Sequence, residues 1–286
     1  MLVQFIHIAL PLSIACNVFA LGLEARLSDA IFLLRRPGLL LRSLLAMNVV
    51  MVLFSVAIAT FFKLDSAIKI VLVVLSVSPV PPALPLKNRK AGGSQTYAVG
   101  LLVAAVLAAI IMVPAWVELL GRYFGVSTHI PPGKIASVVA VTALGPLLGG
   151  ILFQKFAPDI AEHLAKPIGQ AAGTLLIVAV LPVLFIMAKP LWGMLDSQLL
   201  VALIAFILVG LLVGHVMGGP DPEERTVLAL ATCARHPGVA IAVIGANFPA
   251  VKSAALIVVV LYLILAMVIT IPYRNWRRTK QAGIVP

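Results

Sequence analysis

The stretch ALATCARHPGVAIAV, residues 229–243, places one guanidinium inside an otherwise apolar run. Arg235 is followed by His236, Pro237 and Gly238. A charge in a membrane interior is costly, so it faces a bundle interior or a cavity and marks a site. Proline and glycine beside it predict a helix interrupted where the charge lies.

The surroundings of this stretch support a membrane setting. Of 286 residues, 62% are hydrophobic and only 11% are charged, against about 25% charged in soluble domains. The chain divides into charge-free runs long enough to span a bilayer, which needs about 20 residues. Nine spans are expected, at 3–23, 40–62, 68–86, 94–117, 133–154, 168–188, 197–217, 225–246 and 252–272. The net charge of +11 does not imply nucleic acid, because the basic residues sit in short loops, where they act as topology signals. The two cysteines, Cys16 and Cys233, form neither a disulfide scaffold nor a metal site. Residues 1–23 read as a first span rather than a targeting segment.

The loop charges alternate. Arg26, Arg35, Arg36 and Arg42, then Lys87, Arg89 and Lys90, then Lys155 and Lys166, then Arg274, Arg277, Arg278 and Lys280 fall on one side. The intervening loops carry only Lys63 and Lys69, Arg122 and Lys134, Lys189, and Lys252. The positive-inside rule puts the richer loops and residues 273–286, a tail, in the cytoplasm and the N-terminus outside. The acidic loop GGPDPEER, 218–225, is a mild conflict. Glu223, Glu224 and Arg225 read as a solvated helix start.

A second interruption lies in IKIVLVVLSVSPVPPALPLKNRK, residues 68–90, where Pro79, Pro81, Pro82 and Pro85 fall close together. Either two half-helices with an extended link or a short helix and an ordinary loop would satisfy these prolines. Each interrupted element is flanked by continuous spans in the same order. The pattern predicts a first repeat of four spans in 1–118 and a second of five in 133–272. The offset of five spans gives the two units opposite topology. Paired discontinuous helices in inverted units point to a secondary transporter, with a site at the crossing of the breaks.

At this point the chain resembles the bile acid:sodium symporter family, related to arsenite permeases. The resemblance is carried by RRPGLLLRSLLAMNV (35–49), LSVSPVPPALP (75–85), KNRKAGGSQTYAVGLLVAAV (87–106) and EERTVLALATCARHPGVAIAV (223–243). It implies an all-α membrane fold with two crossing broken helices, a panel and a core that move against each other, and uptake of an organic anion with sodium. The chain departs from the sodium-coupled pattern. Leu84 and Pro85 stand where Ser and Asn would be, and Ala231, Arg235 and His236 replace Glu, Gln and Asn. Leucine, proline and alanine carry no side-chain oxygen for a hard cation, and a guanidinium repels one. The usual two-sodium coupling is therefore doubtful, and the coupling ion, proton or sodium, is open.

The candidate substrate-binding residues are Arg235, His236, Ser78, Asn48 and Asn247. The candidate helix breaks are Pro79, Pro81, Pro82, Pro85, Pro237 and Gly238. Arg235 either binds an anion through its fork of donors, replaces a cation among freed carbonyls, or reaches a nearby interface. His236 either carries protons or caps the broken helix. Asn17, Ser76, Thr232, Gln95 and Thr96 are weaker candidates, and His7 and His215 read as interfacial. GGILFQ, 149–154, reads as a packing run. Enzyme motifs are absent, and neither a metal nor a cofactor is implied. The expected partners are a small organic anion and the lipid bilayer, in a plasma membrane of bacterial inner-membrane type. The alternatives are a non-transporting sensor or scaffold on the same fold and an arsenite-type permease using Cys233.

Overall fold

The computed structural model describes residues 2–282. The side chain of His7 and the last four residues of the expected tail lie outside the described residues. Eleven helices carry the fold: α1 Leu2–Glu24, α2 Pro37–Phe61, α3 Ser66–Val77, α4 Leu84–Lys90, α5 Gln95–Tyr123, α6 Pro132–Phe156, α7 Pro158–Gly193, α8 Ser197–Met217, α9 Pro222–Cys233, α10 Pro237–Asn247 and α11 Lys252–Ala282. Short helical turns at Leu27–Ala30, Leu33–Arg35 and Pro249–Val251 are the other helical elements among the described residues. Among the described residues, eight helical stretches, with α9 and α10 counted as one, are long and apolar enough to cross a membrane. The remaining apolar element, α3, has only 12 residues and ends at the proline-rich break. The protein is an all-α integral membrane protein.

Two loops expected from the charges do not exist. The fifth connection shrinks to Ala157, and α7 runs on for 36 residues. Asp159, Glu162 and Lys166 therefore lie on helix, ahead of the apolar stretch expected to begin at 168. The expected tail is likewise helical as far as Ala282, because α11 continues through Pro272. Its Arg277 is 5% exposed and donates to Thr226 Oγ1 at 2.8 Å and Pro222 O at 2.6 Å. An arginine so placed ties the start of α9 to another helix. Glu224 is also not solvated: it is 7% exposed and pairs with Arg36.

Packing separates two groups of helices. Helix α1 lies against α6 and α7. A Cβ on Gly22 would lie 2.4 Å from Leu147 O, and one on Gly150 would lie 2.3 Å from Phe19 O. The GGILFQ run thus lets two backbones touch, as small residues do between membrane helices. The other group, α2–α5 and α8–α11, encloses both breaks. Here α8 lies on α9, and a Cβ on Gly214 would lie 2.4 Å from Leu228 O. The first part of α6 reaches across to α5 and α10.

Candidate functional site

The two breaks meet. Helix α3 stops at Val77, and residues 78–83 run without helix until α4 begins at Leu84. Helix α9 stops at Cys233, and α10 begins at Pro237. The two extended links touch through a backbone bond, His236 N–H to Pro79 O, at 2.8 Å. Pro85 and Pro237 do not sit in the breaks themselves. Each lies in the first turn of the following half-helix, where a missing N–H costs nothing. Gly238 is in that turn too, and the second break proper is Ala234–His236.

Arg235 is fully buried at this crossing. One terminal nitrogen donates to Ser78 O at 3.3 Å, the other to Met47 O at 2.9 Å. Both carbonyls are free for a physical reason. Ser78 follows the last turn of α3, whose terminal carbonyls lack intrahelical partners. Met47 lies in a widened π-type turn of α2, Ala46–Val50, of a kind often found at functional sites. The guanidinium carbon also lies 6.0 Å from the centre of the Phe206 ring, within cation–π range. Nε alone has no partner. Full burial excludes the reading in which Arg235 reaches an interface.

His236 caps α10. Its Nδ1 accepts from Gly238 N–H at 3.1 Å and Val239 N–H at 3.4 Å. With Nδ1 accepting, the proton sits on Nε2, 3.1 Å from Thr142 Oγ1. Thr142 in turn donates to Val138 O at 2.7 Å and lies in a second widened turn, Ala140–Leu144 of α6.

The other sequence candidates divide. Ser78 is buried at the crossing, but its hydroxyl donates to Val74 O at 2.8 Å, so only its carbonyl meets Arg235. Asn48 is 5% exposed in the widened turn of α2. Asn247 is not at the crossing. It closes the far end of α10, accepting from His129 N–H at 2.7 Å and donating to Val243 O at 3.0 Å. Ser76, Thr232 and Cys233 are tied to carbonyls of their own helices, and Asn17 to Ser13 O. Thr96 donates to Asp29, while both amide atoms of Gln95 are buried without a protein partner. His215 lies beside Tyr273 Oη at 2.9 Å.

Sequence reasoning missed Met47, Phe206, Thr142 and Tyr262. Tyr262 is fully buried and donates to Cys233 O at 2.7 Å, closing the last carbonyl of α9. No motif marks such residues, because each acts from a different helix.

A cavity of about 270 Å³ opens beside the first break. It is lined by Val73, Val74 and Val77 of α3, Val117 and Leu120 of α5 and Val243 of α10, with Lys69 its one charged wall. No residue of α1, α6 or α7 lines it.

Residues 11–193 match the model of the Sodium Bile acid symporter family. The chain belongs to that family. Members of that family are transport proteins rather than enzymes. The matched region contains the first break but ends before Arg235. The chain is also similar to the P3 protein of Bos taurus, 26% identical over 234 residues, and to the P3 protein of Homo sapiens, 27% identical over 232. Each alignment covers 78% of this chain and 47% of the relative. The chain thus spans about half the length of these curated relatives.

Proposed function

We propose that this protein is a secondary transporter of a small or amphipathic organic anion, working by alternating access, in which Arg235 serves as a built-in cation. In this reading the spans number nine, the repeats of four and five are inverted, the N-terminus is outside and the C-terminus cytoplasmic. The moving panel would comprise α1, α6 and α7.

The observation that carries the reading is the lodging of Arg235 between Ser78 O and Met47 O. Those oxygens would suit a hard cation, and an immobile guanidinium already satisfies them. Two of its three nitrogens are engaged and none is exposed. Substrate recognition is therefore assigned to other groups, with His236 and Asn48 at the crossing and Lys69 on the cavity wall as the candidates. Anion uptake into proteoliposomes, with sodium and pH gradients set independently, tests this. Uptake that persists without sodium is expected; strict sodium dependence contradicts the built-in cation.

A second reading rests on the same contact: a guanidinium that locks the crossing also suits a non-transporting scaffold. Absence of uptake for every anion, with Arg235→Gln unfolding, would favour it. The arsenite reading is weaker, since Cys233 is 1% exposed and buried thiols are inert.

A further inference from the structure

We infer that His236 is the proton-binding site that couples this transporter, with Thr142 as the partner that reports its protonation to the panel. The inference rests on the transporter reading above and names its coupling ion.

The geometry makes the neutral ring part of a lock. Nδ1 faces two amide N–H groups, and Nε2–H faces the Thr142 hydroxyl. An imidazolium donates from both nitrogens. A proton on Nδ1 would point at Gly238 N–H and Val239 N–H and find no acceptor there. The ring cannot take up that proton in place; it must leave the cap, and the Thr142 bond breaks as it does. There is little room for a smaller adjustment. A Cβ on Gly238 would lie 3.1 Å from His236 Cε1 and 3.8 Å from Val138 Cγ1, so ring, α10 and α6 are closely apposed.

The bond it would break joins the two groups of helices. Thr142 belongs to α6, which with α1 and α7 forms the first group, and His236 to the crossing in the second. The widened turn at Ala140–Leu144 aims the threonine at the ring. Proton binding and the α6–crossing contact are therefore mutually exclusive. Such exclusion is what coupling requires: a ligand shifts an equilibrium only through differential affinity for its two states.

No other charge takes the ring's place. In the same broken element, Arg235 is held by two carbonyls and Cys233 by Leu230 O. Helix α3 brings Lys69, which lines the cavity, and α4, packed on α9, brings Lys87, Arg89 and Lys90. Helix α6 brings Lys134 and Lys155, both exposed. Helix α11 brings exposed Lys252 at one end, Tyr262 on Cys233 O, and Tyr273, Arg274, Arg277, Arg278 and Lys280 toward the other. Among the described residues, the polar partners of the ring are the two amides and Thr142.

The sign follows. Acid favours the state in which the ring has left the cap, and alkali the locked state. The test is a distance between spin labels on the exposed positions Lys90 and Phe156, in full-length protein with Cys16→Ser, reconstituted in liposomes at about pH 8 and about pH 5, either side of the ordinary histidine range. In the otherwise native chain, acid should shift the distance distribution. His236→Asn keeps an acceptor for the cap but can neither titrate nor span to Thr142, and should show the acid distribution at both values, with no pH dependence. Thr142→Val should show the acid distribution already at pH 8. An acid shift that survives in His236→Asn, or no shift in the native chain, overturns the proton site. Anion uptake is measured on the same liposomes. Uptake without the shift would retain the transporter and remove the proton site. The shift without uptake would retain the proton site and remove the transporter.

Discussion

The two breaks are not copies of each other. The first, Ser78–Ala83, contains Pro79, Pro81 and Pro82, so only Ser78, Val80 and Ala83 carry a backbone N–H there. Its carbonyls do the bonding: Ser78 O accepts from Arg235 and Pro79 O from His236 N–H. The second break supplies the donors, a guanidinium and a backbone amide. Its own last carbonyl, on Cys233, is closed by Tyr262, and its new helix is capped by His236. One break is therefore an acceptor and the other a donor. Helix interruption leaves orphan groups of both signs, and a crossing made of two proline-rich links would have few donors to offer. The resemblance implies that sodium-coupled relatives balance such oxygens with a mobile ion. In the proposed reading Arg235 takes that role, tethered to the chain.

The largest way to break the asymmetry is Arg235→Met, which leaves Ser78 O and Met47 O buried without donors. Hydrogen bonds to charged groups contribute roughly 1.5–3 kcal/mol each, so a loss of about 2–5 kcal/mol is expected. Thermal unfolding in detergent measures it. Arg235→Lys should lose less, because an ammonium can still reach a carbonyl but cannot fork between two. The next effect comes from Gly214→Ala, which pushes α8 off the half-helix that ends in the donor break. Overpacking of this kind costs about 1–3 kcal/mol, read as a lower Tm. Smaller still is Tyr262→Phe, which reopens Cys233 O at a cost of about 1 kcal/mol and should leave Arg235→Met no less damaging when the two are combined. The smallest is Pro82→Ala, within about 1 kcal/mol of the native chain. It lies in the acceptor break, and no hydrogen bond among the described residues depends on the ring, so the same measurement should show little change.

Much of this architecture was legible in the chain itself. Charge-free runs located the helices, and the prolines at 79–85 and at 237 located both interruptions, since proline removes a donor wherever it stands. Arg235 announced itself because a lone guanidinium in an apolar run has no local explanation. What could not be read was long-range. Met47 contributes a carbonyl only because α2 widens at Ala46–Val50, and nothing in AMNVV announces that turn. Thr142 matters only because α6 brings a second widened turn against His236. Charge patterning misplaced the start of α7, because Asp159, Glu162 and Lys166 read as loop although they continue a helix beyond its apolar stretch. The tail at 273–282 misled in the same way, because Arg277 is bonded to the start of α9 rather than solvated. Asn247 follows the second half-helix in the sequence, which leaves open whether it closes that end or lines the site; the 11 residues of α10 carry it to the far end.

The central claim is that Arg235 takes the place of a mobile cation at the crossing. The most direct measurement is the Tm of the native protein in sodium chloride and in choline chloride at equal ionic strength, beside Arg235→Gln under the same conditions. A ligand that binds only the folded state raises Tm with its concentration. The account predicts no sodium-specific rise for the native protein, and a lower Tm for Arg235→Gln in both salts. A sodium-specific rise in the native protein would contradict it.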